Sequence, residues 1–288
     1  MSLRKVVKVL GLLGLFATIV LVVAGFRGSS VAASTYESSF RLLSTLPDSI
    51  DLEEARRWSV VNGCGACHGD DLGGEVMIDA PPFLVVAPNL TSGAGGVGSG
   101  YRSVEDWDRA IRYRIRPDGT GMLPMMPSEN YHRMSDEHVA LLIASLQAAP
   151  PVDRELPETK IRLLGLPIAG LGVLHPAKDQ PDAPGAPVPL VEATPEYGAY
   201  LSGLMCVECH ADDLRGGPTP GGGPKAPDLY ASGQWSVEQF AAAVTTGEAP
   251  GRQLAAEMPY EFLVELEDIE VRALHAYLAS LTPPDDNQ

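Results

Sequence analysis

Cysteine is nearly missing from this chain: four residues in 288. That is too few for the disulfide framework that staples small secreted domains. Basic side chains are also scarce, with 21 Lys and Arg against 37 Asp and Glu and a formal net charge of -16. So acidic a chain offers no basic stripe, which argues against nucleic acid as a partner. Aromatic residues make up 6%. What is plentiful is glycine and proline, 30 and 25 residues, in a chain long enough for two ordinary domains.

The few cysteines are not scattered. They stand in Cys64-Gly65-Ala66-Cys67-His68 and Cys206-Val207-Glu208-Cys209-His210, with none left over. A redox Cys-x-x-Cys or half of a zinc site uses the same pair. Two copies, each followed at once by His, instead read as c-type haem attachment. Two thiols a short turn apart can each form a thioether to one porphyrin edge, and the next residue lies beneath the iron. Two covalently bound haem c groups are therefore expected. Cys64, Cys67, Cys206 and Cys209 would attach them, with His68 and His210 as proximal iron ligands. Two macrocycles would supply apolar core, which suits a chain rich in loops.

One long apolar run exists. Val9 to Phe26 holds eighteen residues without a charge, preceded by Arg4, Lys5 and Lys8. That length is at the lower end of what spans a bilayer, and the flanking charges keep the N-terminus cytoplasmic. An uncleaved anchor is expected over 1–27; a cleaved signal peptide ending near Val31-Ala32-Ala33 is the rival reading. Residues 28–50 read as a Ser-rich tether, 51–150 as a first helical unit, 151–193 as a Pro-rich connector and 194–288 as a second unit. Within the connector, Ile161 to Leu174 is an apolar patch whose Pro167 and glycines argue against a second span. It is expected to run extended over a haem domain or a partner subunit.

In the first unit Asp51 with Glu54 reads as a capping box opening a helix over 52–62. A Gly-rich loop over 73–100 comes next, containing Ala87-Pro88-Asn89-Leu90. Ser103 opens a helix carrying Trp107, Ala110, Ile111 and Arg114. Ser135 opens a last helix, with Val139, Leu142, Ile143 and Leu146 on one face. The second unit repeats the order. Asp212-Asp213-Leu214 echoes Asp70-Asp71-Leu72, and Ala226-Pro227-Asp228-Leu229 echoes the Pro88 loop. Ser236-Val237-Glu238 echoes Ser103-Val104-Glu105, with Phe240 at the place of Trp107. Met258-Pro259 echoes Met126-Pro127, and Ala279-Ser280-Leu281 echoes Ala144-Ser145-Leu146. The expected architecture is all-α: one N-terminal transmembrane helix, then two tandem copies of one haem-binding domain.

Each iron held by one His needs a second ligand or an open site, which decides between electron transfer and catalysis. Met126 and Met258 are the candidates, each followed by a proline that keeps its loop extended. Met122 and Met125 compete with Met126, but only Met126 matches the repeat position of Met258. His132, His138, His175 and His275 read as structural or surface residues. Pro88 and Pro227 are expected beside the proximal histidines.

The stretches CGACHGDDLGG, APNLT, VEDWDRAIRYRIRPDGTG, MPSENY and SDEHVALLIASL resemble class I cytochrome c domains. The resemblance is to the cytochrome subunits of membrane-bound bacterial alcohol and gluconate dehydrogenases. It covers residues 52–150 closely and 194–282 more loosely. It implies that the Met of MPS, Met126 here, is the distal ligand. Those subunits typically carry three haems and a C-terminal anchor, so the parent dehydrogenase is not implied. The layout also resembles the dihaem subunit of a terminal oxidase. The function this implies is a relay of single electrons on the periplasmic side of the cytoplasmic membrane. It would serve other subunits of a respiratory, photosynthetic or dehydrogenase complex, or a soluble redox protein. The alternatives are a dihaem enzyme of peroxidase or thiosulfate-oxidising type, and a mainly assembly role in an oxidase.

Overall fold

The computed structural model describes residues 3–36, 41–172, 187–219, 223–255 and 258–283. His175 and the last two residues of the apolar patch, Val173 and Leu174, lie outside the described residues. Helix α1, Leu3–Ala32, is followed by α2 (Leu52–Val61) and α3 (Cys64–His68). Strands β1 (Glu75–Asp79) and β2 (Phe83–Ala87) come next, then α4 (Val104–Tyr113), α5 (Ser128–Arg133) and α6 (Asp136–Ala148). Strand β3 (Lys160–Ile161) and helix α7 (Leu166–Gly170) lie in the Pro-rich stretch. Helices α8 (Pro195–Met205) and α9 (Val207–His210) precede a 3₁₀ turn at Tyr230–Gln234 and α10 (Val237–Thr246). Strands β4 (Glu248–Ala249) and β5 (Arg252–Gln253), then α11 (Tyr260–Leu263) and α12 (Asp268–Ser280), complete the order.

The protein is mainly helical, but all-α is too strict. The Gly-rich segment after the first motif folds into the antiparallel pair β1–β2, and β3 adds to its far side. The run Glu75–Ala87 is rich in Val and Ile around a tight Ala80–Phe83 turn, which favours a hairpin over a loop.

The helix caps explain the boundaries. Asp51 accepts from the amides of Glu53 and Glu54 at 2.9 and 3.3 Å. The expected capping box is only half made, because the Glu54 carboxylate turns to Arg57 and to Trp58 Nε1. Ser103 with Asp106 and Ser236 with Gln239 form complete boxes. Arg114, expected inside its helix, is its left-handed C-cap at φ 55°. Helices α6 and α12 start at equivalent points after their Met-Pro pairs, so Leu146 matches Leu278, both buried. The echo of Ala144-Ser145-Leu146 by Ala279-Ser280-Leu281 is therefore one turn out of register, and Leu281 is a cap.

The expected tether is partly structured. Helix α1 continues through Ala32, beyond the expected end of the anchor. Residues 41–46 form a strap on the first unit. Leu43 N–H donates to Asp108 Oδ2 at 2.7 Å, and Leu43 and Leu46 pack on the core. Beneath the strap the fully buried Arg112 guanidinium pairs with Asp108 and Asp136 and donates to Met134 O.

A continuous core runs through both units. Trp58, Trp107, Tyr131, Met134, Leu142 and Ile143 of the first meet Tyr197, Leu201, Leu204, Phe240, Leu274 and Leu278 of the second. Each such fully buried aliphatic or aromatic side chain contributes about 1.5–3 kcal/mol. Polar contacts tie the same seam. Arg57 reaches Glu270 at 2.7 Å, with the Glu270 side chain only 3% exposed. The His138 ring stacks on Trp58 at 3.7 Å, and its Nδ1 pairs with the Tyr200 hydroxyl at 2.7 Å. His138 is thus a buried, satisfied residue.

The seam is testable in two ways. Arg57→Ala leaves Glu270 buried without its cation and should cost about 3 kcal/mol in denaturant unfolding; adding Glu270→Gln should restore part of that. Burial holds His138 at a pKa of about 4 against an ordinary 6.5. The folded state therefore resists a proton that the unfolded chain accepts below pH 6.5. Stability should be unaffected by this group above that value and fall as pH drops through about 4. A pH series of unfolding midpoints should show this loss, and His138→Gln should flatten it.

Candidate functional site

Both motifs sit at the end of a long helix that delivers them. Helix α2 closes at Asn62, Gly63 turns the chain at φ 67°, and α3 carries Cys64, Cys67 and His68 on a single short turn. Helix α8 runs directly into Cys206, and α9 carries Cys209 and His210.

The backbone beyond each motif repeats bond for bond. The residue after His adopts positive φ, 76° at Gly69 and 65° at Ala211. Leu72 and Leu214 do likewise at 55° and 59°. The His68 carbonyl accepts from Gly74 N–H at 2.7 Å, and the His210 carbonyl from Gly216 N–H at 2.9 Å. Leu90 N–H donates to Leu72 O at 2.8 Å, and Leu229 N–H to Leu214 O at 2.9 Å. This chain reversal brings the Pro88 and Pro227 loops back against their motifs.

The reversal has a chemical result. His68 Nδ1 lies 2.8 Å from Pro88 O, and His210 Nδ1 lies 2.8 Å from Pro227 O. A carbonyl only accepts, so each Nδ1 carries the proton and donates. Each Nε2 is then left as a lone-pair nitrogen, the form that ligates a metal. A carbonyl on the remaining N–H is also the usual support of a ligating imidazole. Burial lowers the pKa of both histidines, which keeps them neutral. Pro88 and Pro227 thus reach the histidines through their carbonyls.

The thiols are not activated. Burial raises the pKa of Cys64 and Cys67, and raises Cys206 to about 12. Reactive redox cysteines show the opposite shift. Among the described residues no group of three or more His, Cys, Asp or Glu is gathered as a zinc ion would need.

Met126 and Met258 occupy matching places. Each is half-buried against the core just before a Pro whose backbone is bent alike, φ -78° ψ 55° at Pro127 and φ -82° ψ 50° at Pro259. The carbonyl of each Met accepts from the residue two on, at 2.8 Å in both. Met125 is 49% exposed, and Met122 is half-buried. His132 is buried edge-on to Tyr113, and His275 Nε2 pairs with Trp235 O at 2.8 Å.

Several further residues gather here to which no motif assigned a site role. Trp107 Nε1 is a buried donor without a hydrogen-bond partner on the helix after the Pro88 loop, and Arg109 Nε and Arg114 Nε share that state. Orphaned donors of this kind fit the carboxylates of a bound group. The signal was a Trp and two Arg in one helix with a third Arg as its C-cap; Phe240 marks that the matching position of the second unit lacks an indole donor. Tyr131 is buried and donates to Asn62 O at 3.2 Å. Its pKa is pushed well up by burial, then by Cys64, Glu208 and Cys67. Glu208, inside the second motif, also accepts from Asn130 Nδ2 at 3.1 Å and raises Cys67 after burial. The two motifs therefore face each other across Tyr131, Asn130 and Glu208. A cleft of about 380 Å³ opens between α5 and the second motif, lined by Pro127, Glu129, Arg133, Val207 and Asp212 among others. No spacing rule in the sequence brings these together.

The apolar surroundings suit a haem. Leu72, Leu90, Tyr101, Val104 and Met126 of the first unit, and Met205, Val207, Leu229 and Met258 of the second, are half-buried against the core. With a proton-fixed imidazole and paired thiols at each, the residues fit haem c at both places.

No family model matches the chain. It is similar to a subunit of the nicotinate dehydrogenase of Pseudomonas putida, at 29% identity over 80% of this chain and 21% of that protein. It is similar to the fructose dehydrogenase cytochrome subunit of Gluconobacter japonicus, at 27% over 77% of this chain and 51% of that protein. A dihaem c-type cytochrome of Cereibacter sphaeroides shares 29% over 75% of this chain and 81% of its own length. The chain thus spans about a fifth of the first relative and half of the second. It resembles a dihaem cytochrome c and the cytochrome subunits of dehydrogenases.

The glycines that permit the Pro–His contact are testable. A methyl on Gly74, at φ 77°, would stand 2.5 Å from Ala87 O, Pro88 C and Asn89 N. A methyl on Gly216 would run into Ala226 O and stand 2.8 Å from Pro227 C. Gly74→Ala and Gly216→Ala should each cost about 1–3 kcal/mol of stability and displace the proline carbonyl. The Nδ1–H resonance of His68 or His210 should move in the variant affected and not in the other.

Proposed function

We propose that the chain is a membrane-anchored dihaem cytochrome c that relays single electrons. The observation that carries this is the duplicated imidazole whose Nδ1–H is fixed by a proline carbonyl beside two unactivated thiols. The reading assigns class I cytochrome c domains to 51–150 and 194–288, an anchor to 1–27 and a connector to 151–193. Cys64, Cys67, Cys206 and Cys209 attach haem c, and His68 and His210 are proximal ligands. Met126 and Met258 are distal ligands. A bound haem supplies an iron that changes oxidation state by one electron without gaining or losing substrate atoms.

The chain's own residues do the rest. Pro88 and Pro227 hold each imidazole in one tautomer and orientation. The Met loops, stiffened by Pro127 and Pro259, offer soft thioethers that favour the reduced metal. Trp107 Nε1, a buried donor without a hydrogen-bond partner, would bind a carboxylate of a haem held by the first motif. The packed seam at Tyr131, Asn130 and Glu208 brings the two stations together and supports transfer between them.

Helix α1 is long and apolar enough to cross a membrane. A signal sequence passes the same test; the proposed role is an anchor, with the haem domains on the periplasmic side. The relatives' names supply the setting: a subunit of nicotinate dehydrogenase and the cytochrome subunit of fructose dehydrogenase. A partner dehydrogenase or respiratory or photosynthetic complex in the same membrane is the proposed donor or acceptor.

Haem stoichiometry and potentials test this. The purified chain should bind two haems per polypeptide, and Cys64→Ala/Cys67→Ala should bind one. Met126→Ala and Met258→Ala should each lower one potential and leave the other in place. A native protein with a high-spin haem that binds cyanide at once would contradict the relay and favour a dihaem enzyme.

A further inference from the structure

The apolar patch in the connector is the largest feature that the relay leaves unused. The structure gives it a definite place. Residues 152–159 run along the first unit. Asn89 Nδ2 donates to Val152 O at 2.7 Å, Arg154 pairs with Asp71 at 2.7 Å, and Thr159 brackets Val86. Strand β3 then pairs with β2. Arg162 clamps the hairpin tip, bonding Ala80 O at 2.6 Å and Asp79 at 2.7 Å.

Helix α7 leaves this clamp and packs on α1, the most extensive pairing of two elements among the described residues. The crossing is made by small residues. Ala24 and Ala169 are 3% and 1% exposed. A methyl on Gly28 would run into the Leu166 backbone, and one on Gly170 into Ala24 O. A second tie lies just beyond: Tyr36 N–H donates to Gly119 O at 2.8 Å, and Thr35 bridges Thr120.

The level of the crossing is what matters. The uncharged run ends at Phe26, between the two contact points Ala24 and Gly28, and Arg27 comes next. Wherever α1 crosses a bilayer, α7 is carried to the boundary of its hydrocarbon. At that level Leu163, Leu164 and Leu171 stand 80%, 65% and 61% exposed. Met77 and Ile78, next to the clamped Asp79, are exposed as well. Such a cluster of outward apolar side chains is unusual on a surface bathed by water alone. Lys160 precedes the leucines in the chain and Arg27 follows the uncharged run of α1, cations of the kind that meet phosphate headgroups.

We propose that Leu163, Leu164 and Leu171 insert into the outer leaflet of the bilayer as a second, interfacial membrane contact. The Gly28–Gly170 crossing then fixes the first haem unit in one orientation above the membrane. The inference rests on reading α1 as an anchor. It commits to lipid rather than a partner helix because the patch is continuous with the anchor's own apolar surface.

The test uses the full holoprotein in nanodiscs of phosphatidylcholine and phosphatidylglycerol that contain a diazirine phospholipid. After photolysis, lipid adducts should map to α1 and to residues 161–172. In Leu163→Glu/Leu164→Glu/Leu171→Glu, with an unchanged haem spectrum as the folding check, the 161–172 adducts should fall roughly tenfold while those on α1 persist. Adducts on α1 alone in the unsubstituted chain overturn the proposal and leave the anchor standing. Adducts on neither overturn the anchor reading itself. A photo-crosslinking residue at position 164 in native membranes should yield lipid adducts; a discrete protein adduct would assign the patch to a partner subunit and overturn the proposal.

Discussion

The candidate sites depend on one hydrogen bond made twice: an imidazole Nδ1–H held at 2.8 Å by a proline carbonyl. The bond chooses the tautomer, aims Nε2 and keeps the ring from turning. It requires the chain to reverse after His and return within about twenty residues. That reversal uses left-handed backbone at Gly69, Leu72 and Gly74, and again at Ala211, Leu214 and Gly216. Non-glycine residues at such angles are uncommon. Finding Leu at both middle positions shows that the loop, rather than local preference, sets the conformation.

The second constraint is the seam between the units. It combines an apolar core with buried polar partners that are costly to leave single, Glu270 with Arg57 and His138 with Tyr200. Such groups punish sliding, because a shifted register strands a charge or a ring nitrogen away from water. A fixed register matters here because the two motifs face each other across it. Electron exchange between stations depends on their separation, so a seam that cannot slip keeps that separation constant.

Much of this was legible in the residues. Motif spacing pointed to two segments whose following backbone repeats, and the Met-Pro echo pointed to equivalent loops with matching dihedral angles. Ser103 and Ser135 cap the helices they were expected to open. What stayed hidden was tertiary. The Glu54 carboxylate left its capping role because Arg57 and Trp58 offered better partners. The β1–β2 hairpin lay under glycines that read as loop. The closing helices looked aligned by Ala-Ser-Leu, but packing set their register from the Met-Pro pair, one turn away. The connector gave composition without destination, because neither α7 nor its small-residue crossing with α1 has a local signature.

The central claim is that each station holds its iron between an imidazole and a thioether. Near-infrared magnetic circular dichroism of the oxidised, purified chain tests this most directly, since a thioether-to-ferric-iron band reports that ligand pair alone. The account predicts a band whose intensity corresponds to two such irons per chain. A band corresponding to one or none, or a signature of two imidazoles at either iron, would contradict it.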